Sequence, residues 1–160
     1  MFNIGFVLLT IVILVMLAIQ DLRERMVYVV PIIVLNAVWS VYLLCMGEWD
    51  TRFLALNWIL HLLIYIGMNH WNIWGGGDSD LFMLFGNICL FSAMVKSGYS
   101  IVVWECICLC AGLILSIFIN QVEKWIIGEK YKSKNGVAVI PGIAIVMIGL
   151  LVGGLYGRIV

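Results

Sequence analysis

The stretch Asn3-Ile-Gly-Phe-Val-Leu-Leu-Thr-Ile-Val-Ile-Leu-Val-Met-Leu-Ala-Ile-Gln20 carries no charged side chain. It is close to the roughly 20 apolar residues that a helix needs to cross a bilayer. In lipid the backbone must satisfy its own hydrogen bonds, and a continuous apolar run does so as a helix. Five more runs follow, at about 29–46, 53–68, 80–95, 101–119 and 137–157, joined by connections at 21–28, 47–52, 69–79, 96–100 and 120–136. The pattern predicts an all-α polytopic membrane protein, a bundle of about six transmembrane helices forming one domain over residues 1–160. A β-barrel would show short alternating segments instead of long continuous ones. Pro31 falls where a second helix begins, a place proline tolerates. The fourth run is the shortest and is interrupted by Asn87.

Composition agrees. The chain has 160 residues, of which 64% are hydrophobic and 11% charged, whereas soluble domains are about half apolar and about a quarter charged. This excludes a soluble globular domain, a disordered chain and a free nucleic-acid binder. Residues 1–20 contain no Lys or Arg, so the first run reads as a retained span and not as a signal peptide. Cys45, Cys89, Cys106, Cys108 and Cys110 form no Cys-x-x-Cys pair. Neither histidine is near them in sequence, so no metal site and no cofactor are expected.

The charges are distributed unevenly. With six spans, Arg23, Arg25, Lys124, Lys130, Lys132 and Lys134 lie on one face, and Arg52, Lys96 and Arg158 on the other. The positive-inside rule puts the first face in the cytoplasm and both termini outside, in the cell membrane. Acids at membrane depth are costly and therefore informative. Asp21 ends the first run, and Asp78 and Asp80 open the fourth. Both places are on the predicted cytoplasmic face, so two carboxylates from distant parts of the chain can converge. Such a pair shares a proton. The ionised member takes a proton from water and the protonated one polarises a carbonyl. Before Asp78 stand Gly75-Gly76-Gly77, which read as irregular backbone lining a wet cavity, where a substrate strand approaches closely.

The segment Ile19-Gln20-Asp21-Leu22-Arg23, followed by Gly75-Gly76-Gly77-Asp78 opening a later span, resembles the prepilin leader peptidases, intramembrane aspartic proteases with a GxGD motif. Leu81, Phe82, Leu84 and Gly86 resemble the family's helix after that motif. Gly136-Val-Ala-Val-Ile-Pro-Gly142 resembles the opening of its last helix. The likeness runs along essentially the whole chain in order and spacing. It implies an endopeptidase that removes the short basic leader of type IV prepilins or prepilin-like proteins at the cytoplasmic membrane face. The catalytic pair is then Asp21 and Asp78. Gly75, Gly76 and Gly77 would line the substrate, and Glu24 and Asp80 would meet its basic leader. The partner would be a membrane-inserted precursor.

The chain departs from the family in two places. Val27-Tyr28-Val29 stands where many relatives have Ile-Pro-Asn, and Asp80 stands where many have a basic residue. The N-terminal Cys-x-x-Cys domain of larger bacterial members has no counterpart in this sequence, which resembles the short forms. From helix ends alone, Asp78 near a helix N-terminus reads as the base and Asp21 near a C-terminus as the acid. Arg23 and Arg25 read as positive-inside anchors. Glu105 reads as an interfacial acid, and His61 and His70 have no evident partner. Two rival readings are a small proton-coupled transporter or channel built on Asp21, Asp78 and Glu105, and an inactive relative that assists pilus assembly.

Overall fold

The computed structural model describes residues 2–71, 75–93, 98–127 and 138–159. Lys96, Lys130, Lys132, Lys134, Gly136 and Val137, all part of the stretches named above, lie outside the described residues. Those described form six helices, α1 (Phe2–Glu24), α2 (Val29–Met46), α3 (Thr51–His70), α4 (Gly76–Ser92), α5 (Gly98–Ile127) and α6 (Ile140–Ile159). Five of them, all but α4, are long and apolar enough to cross a membrane. The protein is an all-helical, multi-pass membrane protein.

Its apolar surface fits that setting. Leu8, Leu9, Val12 and Met16 on α1, Leu56, Leu63 and Ile66 on α3, and Ile114, Ile117 and Phe118 on α5 are all exposed. Exposed apolar faces of this extent suit lipid contact and would be a liability in water.

α4 differs because it is the axis of the bundle. It packs against α2, α3, α5 and α6. Leu81, Phe82, Leu84, Phe85, Ile88, Cys89, Leu90 and Phe91 are all buried along it. A helix that is apolar on every side is covered on every side. Asn87, the residue that breaks the fourth run, is a buried polar knot. Its Nδ2 donates to Asn36 Oδ1 (2.6 Å) and Ser40 Oγ (3.1 Å) on α2, and its Oδ1 accepts from Trp58 Nε1 (2.8 Å) on α3. Satisfying a buried amide in this way avoids the 1–3 kcal/mol or so of leaving it unpaired, and it fixes how α2, α3 and α4 meet.

On the other side α6 lies between α1 and α5. Close approach there depends on Gly142, where an added Cβ would overlap Gly112 O and the Ser116 backbone of α5. Thr10 on α1 accepts from Trp39 Nε1 on α2 (3.2 Å), beside a cluster of Phe6, Trp39, Tyr42 and Phe91 rings.

α5 continues to Ile127, well past the predicted run end at 119. Lys124 is therefore on its last turn and not in a loop. The extension places Asn120 and Glu123, one turn apart, against the end of α1.

Candidate active site

The last turn of α1, the first turn of α4, the end of α5 and the start of α6 meet at one end of the bundle. Asp21 sits there, only 5% exposed. Its Oδ2 accepts the Ile140 N–H at 3.1 Å. That N–H is one of the donors left without an intrahelical partner at the start of α6. Asp21 thus belongs to the C-terminal turn of one helix but docks its carboxylate on the N-terminus of another.

Asp78 reaches the same place from α4. Its Oδ2 accepts the Gly75 N–H at 3.3 Å, closing the first turn of that helix. It precedes the apolar part of α4 and lies outside the five spanning helices. Burial, and then the nearby charge of Asp21, push its carboxyl up to about 6. The two acids, 57 positions apart in sequence, are thus within electrostatic reach of each other.

The glycines act differently from the expectation of irregular backbone. Gly76 and Gly77 are already helical, and only Gly75 is extended, with φ −67° and ψ 159°. None of the three has positive φ. Gly77 is needed for proximity, since a Cβ there would lie 3.3 Å from Val27 Cβ in the connection between α1 and α2. The small residue lets the start of α4 press against the end of α1.

Around the acids runs a network of polar side chains. Arg25 Nη1 donates to Asn120 Oδ1 at 3.0 Å, and Arg25 pairs with Glu123 in a largely buried ion pair. Asn120 Nδ2 donates to Ala138 O (2.8 Å), and Asn120 Oδ1 accepts the Ala138 N–H (3.1 Å). Ser116 Oγ donates to Val139 O at 2.6 Å. Residues 138–140 are thus fastened to α5 by Asn120 and Ser116, and to α1 by Asp21. Arg25, which the sequence reads as a positive-inside anchor, is also a member of this network.

Asp80 faces elsewhere. It is half-buried and accepts a hydrogen bond from Tyr65 on α3. Glu24 is exposed and accepts from Gln20 Nε2 at 3.4 Å. His70 is exposed. Among the described residues no group of three or more His, Cys, Asp or Glu is arranged to hold a metal ion.

A second polar cluster lies deeper in the bundle. His61 on α3 and Glu105 on α5 are both buried, with Nε2 and Oε2 3.8 Å apart. His61 Nδ1 lies 2.9 Å from Asn57 O, so it must be the protonated nitrogen. The imidazole stacks on Phe82 and crosses α4 at Gly86, where a Cβ would overlap the ring. Glu105 Oε1 and Asn57 Nδ2 are buried without a partner among the described residues. Glu105 is therefore not an interfacial acid reaching water, and His61 has a partner after all.

Sequence reasoning found both aspartates but missed Arg25, Asn120 and Glu123 as their surroundings. The available signal was Asn120 and Glu123 one turn apart at the end of an otherwise apolar helix. No protein-family model, curated protein or solved structure matches the chain.

Proposed function

We propose that this chain is an intramembrane aspartic endopeptidase of the prepilin leader peptidase type, with Asp21 and Asp78 as its catalytic pair. The observation that carries the reading is the meeting of these two carboxylates at one end of an otherwise apolar bundle, where the charge of Asp21 acts on Asp78. Paired acids that share a proton supply both the base and the acid of peptide hydrolysis. Water is the nucleophile, and the reaction as proposed uses neither metal nor organic cofactor. The substrate is a membrane-inserted precursor with a short basic leader before its apolar helix. Gly75, Gly76 and Gly77 would lie along the scissile segment, and Glu24 would meet the leader's positive charges, whereas Asp80, expected from the sequence to share that role, is engaged by Tyr65 on α3. Glu24 is exposed at the end of α1, within one turn of Asp21, which suits that role. The site faces the cytoplasm in this reading, with both termini outside.

The test is cleavage of such a precursor, reconstituted with the protein in vesicles. A truncated product whose new N-terminus lies at the start of the apolar helix supports the proposal. An uncut precursor counts against it.

A second reading, a proton-coupled transporter, draws on the His61–Glu105 pair. Its buried, half-satisfied acid is the kind of group that marks proton paths. Acidification of vesicle interiors that requires Glu105, with no cleavage activity, would favour it.

A further inference from the structure

Arg25 closes α1 in an unusual way. Its N–H donates to Asp21 O at 3.0 Å, and its φ is +55°, the only positive φ among the described non-glycine residues. Helices commonly end in this left-handed conformation, but on glycine. A residue with a Cβ adopts it at a cost, where its surroundings impose it, and such places gather at ligand clamps and switches. Here the side chain imposes it. The guanidinium crosses to α5, where Nη1 donates to Asn120 Oδ1 at 3.0 Å and Nη2 donates to Glu123 within an ion pair. Asn120 and Glu123 are one turn apart on the same face of α5. They present two oxygens to one cation.

This pair of oxygens stands beside the acid site. Asn120 also holds Ala138 by two hydrogen bonds, and two residues further on the Ile140 N–H is taken by Asp21. The Arg25 and Glu123 side chains cover each other, whereas Met26 and Tyr28, next along the chain, are exposed. The guanidinium is therefore a plug at the surface end of the bundle. Moving it outward bares a carboxylate and an amide oxygen next to Asp21. Those are the acceptors that a lysine or arginine side chain needs, one for its charge and one for a second N–H.

We propose that Glu123 and Asn120 form the subsite for a basic residue of the precursor's leader, and that Arg25 fills it until a leader displaces it. This rests on the leader-peptidase reading, in which the basic residues lie just before the bond to be cut. The leader's lysine or arginine takes the place of the Arg25 guanidinium on Glu123. One ion pair replaces another, so the Glu123 carboxylate is never left buried alone. Arg25 passes into water, and its turn is free to relax, which offsets part of the bonds it gives up. A neutral leader has no group that can make this exchange. Selection for a basic leader follows from an occupant that only a cation can replace.

The test is cleavage, by the full chain in vesicles, of a precursor with its basic leader and of one whose leader lysines and arginines are changed to glutamine. Two quantities are read: KM for the basic precursor, and the ratio of kcat/KM, basic over neutral. In wild type the ratio exceeds one. Glu123→Gln removes the carboxylate, and the ratio falls toward one by up to about tenfold, the worth of a hydrogen bond to a charged group. Arg25→Gly removes the competitor and gives the left-handed turn the residue that suits it. KM for the basic precursor then falls several-fold and the ratio rises. A merely structural clasp would weaken cleavage of both precursors alike and leave the ratio unmoved. A wild-type ratio of one, an unmoved ratio in Glu123→Gln, or a raised KM in Arg25→Gly overturns the proposal and leaves the protease reading in place. If Arg25→Gly does not insert, the Glu123→Gln ratio decides alone. If wild type cuts neither precursor, the protease reading and this proposal fall together.

Discussion

Asp78 titrates where it does because burial and a neighbouring charge act in the same direction. Replacing Asp21 by Asn removes the neighbouring charge and leaves burial in place. The Asp78 carboxyl should then titrate below its value of about 6, read by carbon-13 NMR of labelled aspartate in micelles. An unmoved titration would mean that the two acids do not feel each other. In the wild-type enzyme the acid of the pair must hold its proton. Cleavage should therefore fall as pH rises through about 6, while loss of the base's ionised form ends activity on the acid side. The measured limbs belong to the pair. Gly86 gives a second residue-level outcome. Alanine there would collide with the rigid His61 ring, and overpacking of this kind costs about 1–3 kcal/mol. A lowered melting temperature in detergent is expected, with Gly149→Ala on α6, where the added methyl meets open space, as the neutral control.

At the scale of elements, the start of α6 depends on side chains from other helices. Asn120 supplies both a donor and an acceptor to Ala138. Asn120→Ala should cost about 1–3 kcal/mol through the buried groups it orphans, and it should lower cleavage more than a distant change of equal stability cost. The comparison is kcat at matched folded fraction, with Gly86→Ala as the distant change. Much at this scale was readable from the sequence. Long apolar runs mark spans reliably because lipid permits no other backbone solution for them. The Asp21 and Asp78 positions stood out because acids at the ends of apolar runs are rare. α4 was harder to read, because Asn87 and the glycines look like interruptions until the helices that bury them are in place. The Arg25–Glu123 and His61–Glu105 pairs were not readable at all. Each joins residues far apart in the chain, and nothing local in either partner names the other.

For the whole molecule, the distribution of Lys and Arg predicts which face meets the cytoplasm. Single cysteines at Met26, in the exposed connection after α1, and at Thr51, at the exposed start of α3, report the two faces. With the five native cysteines replaced, an impermeant maleimide applied to intact cells should label Thr51→Cys and spare Met26→Cys. The reverse pattern would put the acid pair outside and remove the cytoplasmic leader from its reach. The most direct test of the central claim is cleavage of a coexpressed precursor by wild type, Asp21→Asn, Asp78→Asn and Asp80→Asn, each checked for membrane insertion. The account predicts that wild type and Asp80→Asn cut while Asp21→Asn and Asp78→Asn are inserted and inactive. Cleavage that survives the loss of either Asp21 or Asp78 would contradict it.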